Sequence, residues 1–444
     1  MGVEGDSDEE DDPNIVAMVQ DKTPQTKRRI IREEHTKKHK KLGTLATAFT
    51  IFKGFVCTGI LYMPRDFVNG GYGFSALTIF FCMLLTLYCA FLLLEVYAKV
   101  GGSLPEIGMK CYGKPGKIAV DVALFSSQFG FVCAYVYFIT SQIAGEGGII
   151  QCISSNNPDK NTCEGGTVIN RWWFLLVCMV IYVPLVFVRK IEVFATTHLF
   201  GDIMIMITIV TLSVYAGLAV SDNGGFDATG VAFINTALWP DAIGFSVYAF
   251  EGIGVILPIL EVTEKPENYK KILSVTVVVI CAFYIFFSEF WLFSYGANNL
   301  TTPLITDQLP KRSIVTYIVK ICFSLNLVFS YPLVIHPANL VLESYLFGSW
   351  PKTRMRQMCK NLTRTLIVAV SCVLALLVYD KLDKFLSITG ALTCTPIAFI
   401  LPSLFHYKAC AETTKQKAID LSIVVVMSII GAYCTIYAII TFND

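Results

Sequence analysis

The sequence predicts an all-α membrane protein of eleven transmembrane helices, the first and sixth of them discontinuous, with the first ten forming two inverted halves of five. Three observations lead there. Of 444 residues, 54% are hydrophobic and only 16% charged, with a mean hydropathy of +0.60, too apolar for a surface that faces water throughout. Apolar runs of about 20 residues, the length that crosses a hydrocarbon core of roughly 30 Å, recur along the chain after residue 43. Glycine-containing interruptions fall in the first and the sixth of these runs, corresponding positions of two inverted halves. The alternation over about ten residues that marks a membrane β-barrel is missing.

Residues 1–42 precede the first run. They open acidic ("GDSDEEDD"), turn basic between Lys22 and Lys41 and hold few aromatics, the composition of a disordered, solvated cytosolic tail. No cleavable signal peptide is expected ahead of the first run, which then acts as the first insertion signal. The remainder, 43–444, reads as one transmembrane domain with spans at 44–66, 73–98, 118–145, 171–188, 194–219, 232–260, 271–296, 313–346, 361–380, 384–405 and 418–440. With the N-terminus in the cytosol, the cytosolic loops hold or border 17 Lys and Arg and the opposite loops 7, as the positive-inside rule requires. On the non-cytosolic side, Cys152 and Cys163 share the loop "QCISSNNPDKNTCEGG" and are the candidate disulfide. The sequon Asn299-Leu300-Thr301 on that side is a candidate glycosylation site.

The first span reads "KGFVCTGILYMP", with Gly54 and Gly59 around Cys57 and Thr58, and the sixth reads "FEGIGVILP", with Gly252 and Gly254 beside Glu251. Unwound backbone at membrane depth is tolerated only against a cavity or packed protein. Half-helix N-termini present unpaired N–H groups that suit a carboxylate, and C-terminal ends offer carbonyls to a cation or ammonium. Two facing breaks can therefore hold a zwitterion such as an α-amino acid, although glycine pairs also serve close helix packing.

The stretches "FKGFVCTGILYMPRDFVNGGYGFS", "SQFGFVCAYVYFITSQI", "FEGIGVILPILEVTEKPENYKKIL" and "HPANLVLESYLF" resemble the amino acid/auxin permease family, in particular its vacuolar efflux branch, over essentially residues 43 to 440. The resemblance implies an inverted-repeat fold of the amino acid/polyamine/cation type and proton-coupled transport of neutral amino acids by alternating access. It places substrate recognition at Cys57, Thr58 and Gly59 and at Phe250, Gly252 and Gly254. Cys57 stands where the family carries a small residue before the threonine. Thr50 stands where proton-coupled animal members carry a histidine, which leaves the coupling group unassigned.

Ionisable residues inside spans default to functional hypotheses. Lys53 and Glu251 flank the two breaks as coupling or gating candidates, with a structural staple as the alternative, and Glu289 stands second as a proton exchanger. On the third span Gln128, Tyr135 and Gln142 recur on one helical face; they either line a pathway or bond neighbouring helices, and Tyr135 is the substrate candidate. Phosphate-loop, zinc and triad patterns are missing, so no enzyme, metal or organic cofactor is expected. The coupling ion is expected to be a proton rather than sodium. The expected partners are an amino-acid substrate and the bilayer, with no nucleic acid, and the protein is expected to act as a monomer in a vacuolar or lysosomal membrane or the plasma membrane. An amino-acid-sensing receptor signalling through the cytosolic tail is the alternative.

Overall fold

The computed structural model describes residues 41–56, 59–157, 162–188, 192–351 and 353–443. The tail through residue 40, and Cys57 and Thr58, lie outside the described residues. Every long element is helical. Two helices come first among the described residues, α1 (Thr44–Phe55) and α2 (Gly59–Gly70), bent by 53° with respect to each other. α3 (Tyr72–Val100) and α4 (Leu104–Ala144) follow. α4 kinks at Gly113, whose φ of 67° a residue with a Cβ adopts at a cost, just before Pro115 removes a helical donor. Short α5 (Ile149–Ser154) leads through the Cys152–Cys163 loop to α6 (Arg171–Phe187) and α7 (Glu192–Asp222).

The second half begins with α8 (Trp239–Ala249) and α9 (Ile253–Val262). After it come α10 (Tyr269–Tyr295), α11 (Ile314–Phe347) and α12 (Arg354–Leu377). The chain closes with α13 (Leu382–Ile388), α14 (Leu401–Ala409) and α15 (Thr414–Ile440). Between α13 and α14 the helix widens to π geometry over Thr389–Cys394 and Pro396–Ile400. Pro396 offers no N–H, so the ladder is interrupted there in any case. Threonine hydroxyls take up local carbonyls instead: Thr393 Oγ1 donates to Thr389 O at 2.6 Å and Thr395 Oγ1 to Gly390 O at 3.2 Å.

Among the described residues nine helical segments are long and apolar enough to cross a membrane, or ten if the bent α1–α2 pair is one span. Length and composition alone thus stop short of the eleven expected. The difference is α6, whose 17 residues make about 26 Å of helix at about 1.5 Å per residue, less than the roughly 30 Å core. Trp239–Val262 qualifies as one span, yet its helical ladder stops at Ala249 and resumes at Ile253.

α11 packs chiefly on α4 and α7, while α8 sits at the centre against α2, α3, α13 and the π segment. The central contacts are made backbone to backbone: a Cβ on Gly244 would collide with Ser387, and one on Gly390 with the Gly244 carbonyl. Small residues serve this purpose in membranes, where close approach rather than expulsion of water holds helices together. Outward-facing positions such as Val180, Phe286, Leu366 and Ile429 are apolar and exposed, and Trp172 and Trp173 stand exposed at the start of α6, where interfacial aromatics belong. At the opposite end of the bundle, Leu42 pairs with the exit of α9: its N–H donates to Val262 O at 2.8 Å and its carbonyl accepts from Glu264 N at 2.9 Å.

Candidate substrate site between two interrupted helices

The two interruptions lie side by side. Gly59 opens α2, and a Cβ there would be 3.9 Å from Ala249 and from the Tyr248 ring, at the end of α8. Gly54, near the end of α1, approaches Val255 of α9 so closely that a Cβ would stand 2.8 Å from its methyl group. Gly252, the residue ahead of α9, lies under the Phe55 ring, 2.5–2.7 Å from where its Cβ would be. Thus the end of α1 meets the start of α9, and the start of α2 meets the end of α8. Four helix termini converge on one region, with first-turn donors and last-turn acceptors that their own helices do not use.

Aromatic rings close this region. Phe250, fully buried, terminates α8, with its ring 6.5 Å from Phe55 and 5.6 Å from Tyr284, both edge-on. The Tyr284 hydroxyl donates to the Phe55 carbonyl at 3.0 Å, which satisfies one of the acceptors left at the broken end of α1. Phe131 of α4 stacks at a tilt on Tyr248, 5.0 Å between centroids. Neither Tyr284 nor Phe131 stands out in the sequence. They belong to aromatic runs in the seventh and third spans, and only three-dimensional proximity distinguishes them.

Glu251 lies between α8 and α9, 8% exposed. Its carboxylate lies beside the first turn of α9, with Oε1 4.0 Å from where a Cβ on Gly254 would stand. That oxygen has no hydrogen-bond partner among the described residues, and the Cys394 thiol of the π segment lies within electrostatic reach. Lys53 occupies the last turn of α1, where a cation complements the helix dipole, and it is half-buried. A Cβ on Gly254 would lie 3.8 Å from the Leu124 side chain of α4, an ordinary contact. Tyr135 is buried on α4. Gln142, on the same face, is a helix-to-loop tie: its Nε2 donates to Asp307 Oδ1 at 3.0 Å, an oxygen that Lys320 also bonds at 3.3 Å.

Cys152 and Cys163 are joined, with Cα atoms 4.5 Å apart. Asn299 is exposed in the loop after α10, its amide donating to Tyr295 O at 2.7 Å. No group of three or more metal-ligating side chains occurs among the described residues.

The sequence pattern of a family described as transmembrane amino acid transporter protein matches residues 40–441. The chain belongs to this family of transmembrane transporters. Among its relatives, vacuolar amino acid transporter 3 of Saccharomyces cerevisiae is 29% identical over 91% of this chain and 57% of its own length. Vacuolar amino acid transporter 3 of Schizosaccharomyces pombe is 30% identical over 86% of this chain and 55% of its own length. The chain thus spans little more than half of these yeast relatives. The amino acid transporter AVT3B of Arabidopsis thaliana, 27% identical, aligns over 87% of this chain and 90% of its own length. In fold, the chain is similar to MhsT in complex with L-phenylalanine, with a TM-score of 0.51 at 15% identity over 88% of this chain and 98% of that one. It is similar as well to a Na+-coupled sialic acid symporter, with a TM-score of 0.51 at 12% identity over 97% and 96%.

Proposed function

We propose that the protein is a secondary active transporter of neutral amino acids that couples substrate movement to protons and works by alternating access. The observation that carries this reading is the convergence of four helix ends at Phe55–Gly59 and Ala249–Ile253. The amides that open α2 and α9 suit the substrate carboxylate, and the carbonyls that end α1 and α8 suit its ammonium group. Cys57, Thr58, Gly59, Phe250, Gly252 and Gly254 supply backbone contacts, Tyr135 bounds the side-chain pocket, and Lys53 and Glu251 are the gating pair. In this reading α6 crosses the bilayer as well, giving eleven spans in a five-plus-five inverted repeat, with both interrupted helices discontinuous at the midplane. The N-terminus is cytosolic, the monomer is the working unit, and the vacuolar names of the yeast relatives favour a vacuolar or lysosomal membrane over the plasma membrane.

The test is uptake of a labelled amino-acid panel by proteoliposomes holding the full chain, with and without an imposed pH gradient. Accumulation of neutral amino acids above the external concentration, driven by the gradient, is the expected result. Equilibration that ignores the gradient would overturn proton coupling, and binding without flux would overturn transport.

A further inference from the structure

A second polar cluster lies away from the interruptions, at the end of the bundle that carries the Cys152–Cys163 loop. The Arg171 guanidinium that follows this loop sits 3.5 Å above the Tyr379 ring, just before α13. There α2 contributes Arg65, Asp66 and Asn69, α8 contributes Asp241, and α13 contributes Asp383 and Lys384. Most of these groups line a small cavity of about 10 Å³, roughly the space the centre of one water molecule needs.

The cations there are already engaged. Lys384 Nζ is 2.6 Å from Asp241 Oδ2 and donates to Thr441 Oγ1 at 2.8 Å, and Arg65 donates to the Leu300 carbonyl at 2.7 Å. The Asn69 amide donates to Asp383 at 3.4 Å. This leaves Asp66 Oδ2, Asn69 Oδ1 and Asp241 Oδ1 buried with no hydrogen-bond partner among the described residues, on side chains 3–4% exposed. Ser387 stands near Asp241 but outside hydrogen-bond geometry. All three orphaned atoms are acceptors, so further acceptors do not help them; a hydrogen on one carboxyl does, by turning an acceptor into a donor. The charge balance agrees. Lys384 is paired with Asp241 and Arg65 is given to a carbonyl, so the buried Asp66 carboxylate has no ion-pair partner among the described residues, and an uncompensated buried charge is costly. One added proton removes that charge.

We propose that Asp66, facing Asp241 across this cavity, takes up and releases the coupling proton from the disulfide side of the bundle. The inference rests on the proton-coupled reading above and moves the exchange step from Glu251 to this cluster. The proton arrives from water in the cavity, adds to a carboxylate oxygen and leaves by the same route, with no other bond made or broken. Asp66 lies seven residues beyond Gly59 and Asp241 eight before Ala249, about 10–12 Å of helix in each case. Protonation therefore changes the force between the same two helices whose other ends form the interruption. The groups facing Asp66 and Asp241 are Tyr62 and Arg65 on α2, Asp383 and Lys384 on α13, and the thiols of Cys82 on α3 and Cys434 on α15, with Cys281 of α10 beside Cys82.

The experiment compares the full-length protein with Asp66→Asn and Asp66→Glu in proteoliposomes. It reads accumulation under a pH gradient, exchange of labelled for unlabelled amino acid, and the infrared carboxylic C=O stretch as pH is changed. Asp66→Asn is expected to lose gradient-driven accumulation, its inside-to-outside ratio falling to about one, while exchange stays measurable and one protonated-carboxyl band disappears. Asp66→Glu is expected to restore both. Accumulation by Asp66→Asn at the wild-type ratio overturns the proposal, as does a band that persists in this variant or uptake driven by sodium instead of protons. If the unaltered protein ignores the pH gradient, the coupled reading fails on its own. The infrared band then decides the site: its loss in Asp66→Asn supports protonation at Asp66, and its absence from the unaltered protein overturns it.

Discussion

Gly59 and Gly252 look equivalent in the sequence, as glycines at paired interruptions, yet their surroundings differ. A methyl group at Gly59 would meet Ala249 and Tyr248 at ordinary contact distance, 3.9 Å, whereas one at Gly252 would enter the Phe55 ring. Gly59→Ala is therefore expected to keep most transport, while Gly59→Leu, which must push into Ala249 and Tyr248, loses it; uptake normalised to the amount of folded protein checks both. Gly252→Ala is expected to cut uptake at least tenfold, because the buried Phe55 ring must move and its edge-on contact with Phe250 goes with it. The stretch between α8 and α9 could be read directly from "FEGIG", whereas Cys57 and Thr58 of "CTG" lie outside the described residues. The partners that close the site could not, because a tyrosine at position 284 differs from the other aromatics of α10 only through the carbonyl it reaches. Gln142 shows the converse. Its spacing with Tyr135 and Gln128 is compatible with a pathway, but the structure gives its amide to Asp307.

Helices in this bundle are held in place by a few buried charge sets as well as by shape. Glu343 of α11 accepts from Arg364 of α12 at 2.6 Å and from Lys360 at 3.4 Å, and Arg364 also donates to the Val186 carbonyl at the end of α6 at 2.7 Å. Three helices meet at one carboxylate that is almost wholly buried. Glu343→Ala is expected to destabilise the protein by about 3–5 kcal/mol, because it strips the compensating charge from two buried cations; a thermal melt in detergent would register it as a large drop in the midpoint. The spans of these helices followed from hydropathy, but the pairing did not, since Glu343 and Arg364 belong to runs separated by a polar loop. The π segment was equally hidden. "TGALTCTP" reads as an ordinary helix with a proline, and only the threonine hydroxyls bonded to Thr389 and Gly390 carbonyls reveal how the widened turn is supported.

Across the whole molecule, hydropathy was enough to anticipate a helical membrane bundle, nine or ten of whose described helical segments are long and apolar enough to cross a membrane. The number of spans was harder. α6 is short, and whether it crosses depends on how the bilayer and its neighbours accommodate it rather than on its own composition. The sidedness implied by the loop charges has a direct test. The Cys152–Cys163 bridge and Asn299 are expected on the same, non-cytosolic side, so a glycosidase-sensitive mass shift in cells should vanish in Asn299→Gln, and blocking the bridge with thiol reagents should require prior reduction from that side. A shift that survives the substitution would show that the glycan lies elsewhere.

The short pairing of Leu42 with Val262 and Glu264 turns two separate rods into a linked pair. Because the segment that enters α1 is hydrogen-bonded to the segment that leaves α9, displacement of either one at that end is resisted by the other.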